Sequence, residues 1–298
     1  MPVSVCLDTV DRKHRHLNIR DVRGLSCSIV GSQPGRRAAA FFDLDKTIIA
    51  KSSTLAMGRP FYAGGLINRR AVLRTAYAQL VFALGGADAT AMDRMRSYAQ
   101  QMCAGWEVDQ VKAIVDEALH DLIDPLIYDE AASLIEWHHD QGHDVVIVSS
   151  SGEEIVTEIG RMVGADHAIG TRMSTVDGRY TGEIDFYAYG PAKADAVREL
   201  AVDAGYDLAE CYAYSDSITD VPMLEAVGHP TAVNPDRALR KLATQRGWPV
   251  AEFKRPVRLR QRIPQLSAAQ RTAAGVALAT GVAVVAIGWL NQRRRRAS

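Results

Sequence analysis

The residues Ala-Ala-Ala-Phe-Phe-Asp-Leu-Asp-Lys-Thr, numbers 38–47, form a continuous apolar run that ends on two carboxylates, Asp43 and Asp45. An apolar run without alternation is typical of a strand that is buried on both faces of a parallel sheet. Its carboxyl end would lie in the crevice where open α/β sheets bind ligands. Because the aspartates are two residues apart, an extended backbone points both side chains to the same side, where they suit Mg²⁺.

Asp-x-Asp triplets are also common in solvated turns and helix caps, so the rest of the chain has to decide between the two interpretations. A second aliphatic run, residues 145–148, leads into Ser149, Ser150, Ser151 and Gly152. Their hydroxyls and flexible backbone could cradle phosphate oxygens. A serine-rich loop before a helix serves equally well as an N-cap.

Two further segments carry charge. Lys193 follows Gly-Pro-Ala and opens an amphipathic segment, in which a lone lysine is usually solvated. The apolar run at 211–214 continues into Ser-Asp-Ser-Ile-Thr-Asp, with Asp216 and Asp220 four residues apart. On an ordinary helix start, two such acids would mean only a favourable interaction with the helix dipole.

The order of these segments resembles the haloacid dehalogenase superfamily, in which a nucleophile strand, a Ser/Thr strand, a lysine and an acidic strand follow one another. The serine loop, the Asp177-Gly178 hairpin and the segment 215–224 are most similar to its phosphoserine-phosphatase-like branch. The resemblance covers about residues 38–245. It implies an α/β fold with a doubly wound parallel sheet and a small helical cap inserted after the first strand.

The resemblance also implies a role for each motif residue. Asp43 would be the nucleophile that carries an aspartyl-phosphate, and Asp45 the general acid and base. Mg²⁺ would be held by Asp43, Asp216 and Asp45, the last through its backbone carbonyl, and Asp220 would orient a metal-bound water or the loop. The phosphoryl oxygens would be bound by three residues, Ser149, Ser150 and Lys193.

The function implied is a Mg²⁺-dependent phosphomonoester hydrolase whose substrate is a small or lipid-related phosphomonoester. Two alternatives stay open: a phosphotransferase that uses the same intermediate, and a membrane-associated regulatory protein that binds a phosphorylated ligand without rapid turnover. Phosphoserine phosphatases have an acidic residue for the substrate ammonium seven residues beyond the second motif aspartate. That position is Ser52 here. A serine cannot pair with an ammonium as a carboxylate does, which argues against phosphoserine unless the cap supplies a carboxylate.

The segment between the first strand and the next is too long for a plain connection and predicts a cap at 54–125. Helical spacing of apolar residues indicates cap helices at 69–84, 92–102 and 108–122. The core would comprise 36–53 and 126–250, with alternating strands and helices. Four cap arginines are candidates for contact with an anionic substrate: Arg59, Arg69, Arg70 and Arg74.

His138, His139 and His143 lie near the end of a predicted helix at 128–141 and suggest a metal site. We favour the alternative, a favourable interaction with the helix dipole. The four cysteines show no paired metal-ligand spacing and no signal peptide precedes them, so reduced thiols in a cytoplasmic catalytic domain are expected. Residues 1–35 are expected to be a flexible extension, and nucleic-acid binding by its short basic run is not expected.

The net charge of zero conceals an asymmetry along the chain. From Glu252 onward, ten Lys or Arg accompany one acid, so the preceding residues are acidic overall. A basic linker at 251–272 leads to residues 273–290, an uncharged run of eighteen residues, and a basic tail at 291–298. Eighteen helical residues span about 27 Å, close to a hydrocarbon core. We therefore expect a single C-terminal span in the cell membrane, the alternative being a surface or partner-binding helix.

Overall fold

The computed structural model of the chain describes residues 37–67 and 101–259. Seven strands form one sheet there: β1 (Ala39–Phe42), β2 (Asp144–Gly152), β3 (His167–Val176), β4 (Arg179–Phe186), β5 (Tyr212–Ser215), β6 (His229–Val233) and β7 (Val250–Ala251). Their order across the sheet is β4-β3-β2-β1-β5-β6-β7. Only β4 runs antiparallel to its neighbour, and the other neighbouring strands in this sheet are parallel.

Helices flank the sheet. They are α1 (Ser53–Ala56), α2 (Gly58–Ala63), α3 (Val108–Leu122), α4 (Asp129–Asp140), α5 (Glu153–Val163), α6 (Pro191–Ala204), α7 (Val221–Glu225) and α8 (Arg237–Arg246). Short 3₁₀ turns lie at Asp124–Leu126 and Ile218–Asp220. Most connections from strand to strand pass through a helix, as parallel pairing requires.

The central strand β1 is buried on both faces, which explains its unbroken apolar sequence. Ala40 and Phe42 belong to a core shared with α3, α4 and α5. Ala39 and Phe41 point the other way, into a core shared with α6, α7 and α8. The predicted fold class, a doubly wound α/β sheet, is therefore confirmed.

Part of the cap lies within the described residues. The predicted helix at 108–122 is α3, whose Val111, Val115 and Leu119 follow helical spacing into the core. Before α3, the chain is joined to the β3–β4 hairpin, because Tyr180 N–H donates to Trp106 O at 3.0 Å and Gly105 N–H donates to Tyr180 O at 2.7 Å. The predicted helix at 69–84, most of the one at 92–102, and Arg69, Arg70 and Arg74 lie outside the described residues.

The sheet and its packing extend beyond residue 250, where the sequence placed the start of a linker. β7 pairs with β6 through Ala251, and Phe253 is buried. The carboxylate of Glu130 in α4 accepts the backbone N–H groups of Lys254 and Arg255 at 3.3 and 3.2 Å. Residues 251–255 are therefore attached to the core by strand pairing and hydrogen bonds, although their composition is basic.

The remaining predictions about the two ends fall outside the described residues. These are the extension at 1–35, the rest of the linker, the span at 273–290 and the tail at 291–298. Among the helices of the described ranges, none has the length and apolar character needed to cross a membrane. The C-terminal span thus stays a prediction. Cys103 and Cys211, the two cysteines that are described, are free thiols.

Candidate active site

The predicted nucleophile lies at the carboxyl end of β1. Asp43 N–H donates to Tyr214 O at 2.9 Å, so the strand pairing with β5 continues one residue past β1 and fixes the aspartate backbone. Its side chain is buried. Asp43 therefore lies at the edge of the sheet where parallel strands present ligands.

Lys193 and Asp220 meet this aspartate from other elements. Lys193 is in the first turn of α6 and is buried, and its Nζ donates to Asp43 Oδ1 at 2.6 Å and to Asp220 Oδ2 at 2.8 Å. The hydroxyl of Ser215, the last residue of β5, donates to the same Asp220 oxygen at 2.7 Å. A buried ammonium thus bridges two carboxylates that are distant in sequence.

Asp216 adds a third buried carboxylate. It directly follows β5, and its backbone carbonyl accepts from Asp236 N–H at 2.8 Å. The nearest described cation to its side chain, Lys46, is exposed and lies 3.9 Å away. An exposed pair at that distance stabilises a charge only weakly.

The electrostatics of these groups show uncompensated negative charge. Burial raises the pKa of Asp43 to about 8, since the lowering by Lys193 does not offset burial and the repulsion from Asp220 and Asp216. Burial likewise raises the pKa of Asp216 to about 7, against the lowering by Lys46. Burial lowers the pKa of Lys193, but Asp43 and Asp220 more than reverse this and leave it raised. The lysine is therefore charged, and it is the one buried cation beside three buried carboxylates among the described residues.

This donor set suits a divalent cation. Within the described ranges, no three side chains of His, Cys, Asp or Glu are grouped to hold a metal ion. The predicted site asks for only two carboxylates, Asp43 and Asp216, because Asp45 would contribute its backbone carbonyl. Buried oxygen ligands with excess negative charge are what Mg²⁺ prefers. The residues present therefore fit the ion that the sequence predicts.

The side chain of Asp45 is oriented by the loop that follows it. Lys46 has a positive φ of 63°, which turns the chain back at this point. Ser53 N–H then donates to Asp45 Oδ1 at 2.9 Å. Asp45 is half-buried, and this hydrogen bond fixes one of its carboxylate oxygens.

The serines that the sequence predicted as a loop are the end of strand β2, which places alternate hydroxyls on opposite sides. Ser149 is buried and its Oγ accepts from Ser151 N–H at 3.2 Å, whereas the side chain of Ser150 is exposed. Ser151 is buried too, and its Oγ lies 2.7 Å from Ser53 Oγ and 3.1 Å from Thr54 Oγ1. Sequence reasoning did not single out the contact between Ser53 and Ser151. Because side chains alternate between the two faces of a strand, the sequence could have indicated that Ser149 and Ser151 lie on one side and Ser150 on the other.

Ser52 begins the short helix α1 without a side-chain hydrogen bond to its N–H groups. The position that carries a carboxylate in phosphoserine phosphatases thus presents only a hydroxyl. The three histidines lie elsewhere: His138 and His143 bond to each other through Nδ1 at 3.0 Å, and His139 contacts Asp166.

Comparison with known proteins agrees with this geometry. A family model described as haloacid dehalogenase-like hydrolase matches residues 40–225. The chain is 64% identical over 262 residues to the inhibition of morphological differentiation protein of Streptomyces azureus, covering 87% of this chain and 95% of that protein. It is 39% identical over 244 residues to a phosphoserine phosphatase of Mycobacterium tuberculosis, covering 81% and 79%.

A histidinol-phosphatase of Neisseria meningitidis is 30% identical over 220 residues, which are 72% of this chain and 98% of that protein. A solved phosphoserine phosphatase with a phospho-aspartyl intermediate analogue has a TM-score of 0.51 at 18% identity, covering 74% of this chain and 95% of that chain. That structural likeness shows the fold alone. With the family match and the sequence relatives, it leads to one conclusion. This chain belongs to the haloacid dehalogenase-like hydrolase family and is a phosphatase of that family.

Proposed function

We propose that the chain is a Mg²⁺-dependent phosphomonoester hydrolase that works through covalent phosphorylation of Asp43. The observation that carries this proposal is the buried Lys193 ammonium, which holds Asp43 Oδ1 at 2.6 Å and Asp220 Oδ2 at 2.8 Å. A lysine in this position fixes the nucleophile and can also neutralise charge on a transferring phosphoryl group.

In the first step, a carboxylate oxygen of Asp43 forms a bond to phosphorus as the ester P–O bond breaks. Asp45 gives a proton to the alkoxide that leaves, so the alcohol departs neutral. Its orientation by Ser53 N–H, at 2.9 Å from Oδ1, keeps the acid in one place during this transfer. The products of the step are the free alcohol and an aspartyl-phosphate.

In the second step, Asp45, now ionised, takes a proton from a water molecule that attacks the phosphorus of the aspartyl-phosphate. The bond between phosphorus and Asp43 breaks, inorganic phosphate leaves, and both aspartates return to their initial state. Ser149 and Lys193 bind the phosphoryl oxygens. Asp43, Asp216 and the Asp45 carbonyl would hold Mg²⁺, which would neutralise charge on the phosphate when bound.

The substrate is a small phosphomonoester. Two relatives carry names that refer to phosphoserine and histidinol phosphate, which are both phosphate esters of amino alcohols. The sequence also suggested a lipid-related phosphate, and ethanolamine phosphate belongs to both groups. A panel of substrates should therefore include phosphoserine, histidinol phosphate, ethanolamine phosphate and glycerol 3-phosphate.

The test is release of inorganic phosphate from this panel, with Mg²⁺ and with a chelator. Asp43→Asn should lower turnover of every substrate at least about 1000-fold, because the amide cannot act as the nucleophile. Asp203→Asn, which changes an exposed aspartate of α6, is the matched control and should behave like the wild type. Turnover that persists in Asp43→Asn would disprove the mechanism, and phosphate that appears on an added alcohol would indicate a phosphotransferase.

We also propose that residues 273–290 attach the enzyme to the cell membrane, with the catalytic part in the cytoplasm. The support is the uncharged run and the arginines that follow it. Fractionation of the full chain and of a chain ending at Gln265 tests this. Equal solubility of the two would exclude the anchor.

A further inference from the structure

We propose that the hydroxyl groups of Ser53 and Ser151 form a positioning pair, which holds the side chain of Asp45 in place for proton transfer. The inference rests on the proposed phosphomonoesterase function, in which Asp45 is the general acid and base. It gives a role in the reaction to two buried serines, one at the start of α1 and one near the end of β2.

The hydrogen bond that orients Asp45 comes from a backbone group. Ser53 N–H donates to Asp45 Oδ1 at 2.9 Å. No residue of the described ranges bonds to the other oxygen, Oδ2, so this is the oxygen from which a proton can pass to the substrate. The place of Oδ2 in the site therefore depends on where the backbone of Ser53 lies.

The helix that contains Ser53 is too short to fix this backbone by itself. α1 has four residues, and Ser52, at its N-cap, provides no side-chain hydrogen bond. Isolated helices of this length are not stable in water, because ordering one turn costs more than its hydrogen bonds return. Met57 is buried behind α1 and anchors its end. The start of the helix needs an attachment of its own.

Side-chain hydroxyls provide this attachment. Ser53 Oγ lies 2.7 Å from Ser151 Oγ, and Thr54 Oγ1 lies 3.1 Å from the same Ser151 atom. Ser53 is completely buried and Ser151 is only 5% exposed, so water hardly competes for their contact. A buried hydroxyl that loses its partner costs free energy, and the two serines therefore favour the position in which their hydroxyls meet.

Ser151 is itself fixed to the core by the neighbouring strand. Thr171 Oγ1 of β3 donates to the carbonyl of Ser150 at 2.8 Å. β3 also packs closely against the serine backbone, since a Cβ placed on Gly170 would lie 3.1 Å from Ser151 O. This close approach leaves the backbone of Ser151 little room to move. Ser151 is therefore the fixed member of the pair, to which the start of α1 is attached.

The same hydrogen bonds reach the phosphate-binding side of the site. Ser151 N–H donates to Ser149 Oγ at 3.2 Å, and Ser149 is the serine proposed to bind the phosphoryl oxygens. Ser151 Oγ then contacts Ser53 Oγ, and Ser53 N–H contacts Asp45. Loss of the hydroxyl contact would thus move the acid relative to the bound phosphate, whereas the phosphate ligands would stay in place.

A displaced acid affects some leaving groups more than others. The alkoxide of ethanolamine is strongly basic, so its P–O bond breaks readily only when Asp45 gives a proton to the oxygen. 4-Nitrophenolate is a weak base and leaves without a proton. A misplaced Asp45 should therefore slow the reaction of the alkyl ester and spare the aryl ester, whereas damage to the phosphate site should slow both.

The test compares ethanolamine phosphate with 4-nitrophenyl phosphate. kcat/KM reports the step in which the alcohol leaves, and in Ser151→Ala it should fall about tenfold or more for the first substrate but stay within about twofold for the second. Ser53→Ala keeps the N–H that bonds Asp45 and should show the same selective loss. Ser174→Ala, which removes a hydroxyl that donates to Asp185 in the β3–β4 hairpin, is the matched control and should change neither value by more than about twofold.

The double variant Ser53→Ala/Ser151→Ala separates a pair from two independent residues. Because each single substitution removes the same contact, the double variant should lose no more than about twofold beyond either single variant. Losses that multiply, or an equal loss for the two substrates, would overturn the positioning pair. Circular dichroism verifies that each variant is folded, and Ser53→Ala carries the test if Ser151→Ala does not fold.

Hydrogen exchange separates this proposal from the proposed function, because it needs no turnover. The Ser53 amide, followed by NMR, should exchange at least about tenfold faster in Ser151→Ala than in the wild type, since its bond to Asp45 opens more often. Faster exchange in a protein that releases no phosphate would refute the hydrolase and keep the positioning pair. Unchanged exchange of this amide would overturn the pair, even if phosphate is released.

Discussion

The central strands β1 and β5 support two buried polar clusters of opposite character. The carboxylate cluster, formed by Asp43, Asp216, Asp220 and Lys193, lies at their carboxyl ends. The histidine cluster, formed by His138, His143 and Tyr214, lies on the face covered by α4. There, His138 Nδ1 is 3.0 Å from His143 Nδ1, and His138 Nε2 is 2.9 Å from Tyr214 Oη.

The two clusters differ in how their charge is balanced. Burial lowers the pKa of His138 to about 3, so this ring is neutral, and each of its nitrogens has a partner. In the carboxylate cluster, burial instead raises the pKa values of Asp43 and Asp216 because one lysine cannot balance three acids. A balanced buried cluster stabilises a fold, whereas an unbalanced one needs a ligand. We therefore expect substitutions in the carboxylate cluster to lower activity and substitutions in the histidine cluster to lower stability.

The largest effect is expected from Lys193→Met. Removal of the ammonium leaves Asp43 and Asp220 buried without a cation and removes a ligand of the phosphoryl group, so kcat/KM should fall at least about 1000-fold. Steady-state kinetics with ethanolamine phosphate and Mg²⁺ measure this. Lys241→Met, at an exposed position of α8, is the matched control and should stay within about twofold.

A folded Lys193→Met variant with near-wild-type kcat/KM would erase the proposed difference between the clusters. Circular dichroism shows whether the variant is folded, so that a loss of activity caused by unfolding is not mistaken for a loss of catalysis. Because removal of one partner from a buried pair costs about 3 to 5 kcal/mol, the variant should also be studied at low temperature.

The sequence was sufficient for the parts that depend on local pattern. The unbroken apolar run at β1 predicted a strand buried on both faces, and Ala40 and Phe41 indeed face different cores. The family resemblance carried by the order of motifs assigned Asp43, Lys193 and Asp220 to one site, and the structure brings them within hydrogen-bonding distance, although their roles stay predictions. Periodicity and motif order carry this information because strand ends in a parallel sheet share one edge.

The sequence was insufficient where the partner of a side chain lies far away along the chain. Nothing in its periodicity connects His138 with Tyr214, since the hydrogen bond joins α4 to a strand 76 residues later. The three histidines near the end of α4 suggested either a metal or a dipole interaction, and packing instead gives His138 two neutral partners. Residues 251–259 were assigned to a linker by composition, which does not report hydrogen bonds to Glu130.

The next effect concerns acid sensitivity in the histidine cluster. The pKa of His138 is lowered from 6.5 to about 3 by burial and by His143 and His139, so the folded state resists a proton that the unfolded state accepts. Stability from the neutral ring is therefore complete above pH 6.5 and is lost as the pH falls toward 3. Between pH 7 and pH 4, the difference in unfolding free energy between wild type and His138→Leu should narrow by about 3 kcal/mol.

Urea unfolding at several pH values measures this difference. His120→Leu, at an exposed position of α3, is the control and should show no comparable change. A constant difference between wild type and His138→Leu across this range would mean that the ring is already charged in the folded protein.

A smaller effect is expected from Mg²⁺ on the stability of the carboxylate cluster. An ion that binds the folded state adds about 2 kcal/mol when its concentration is about thirty times Kd. The melting temperature should rise with Mg²⁺ in the wild type and much less in Asp216→Asn, which removes one proposed ligand. His138→Leu, although less stable, should keep the full Mg²⁺ response. Equal responses in wild type and Asp216→Asn would place the ion elsewhere.

The smallest effect is expected from Tyr214→Phe, which links the two clusters most directly. The ring of Tyr214 stacks on the ring of Phe42 with 4.5 Å between centroids. Along the chain, Tyr214 is followed directly by Ser215 and Asp216. The variant keeps the stacked ring but removes the hydroxyl partner of His138, at a cost of about 1 kcal/mol in unfolding free energy. Because the ring still supports the strand that carries Asp43, kcat/KM should stay within about twofold. A large loss of kcat/KM with intact stability would show that the histidine cluster acts on the reaction, and the separation between the clusters would no longer hold.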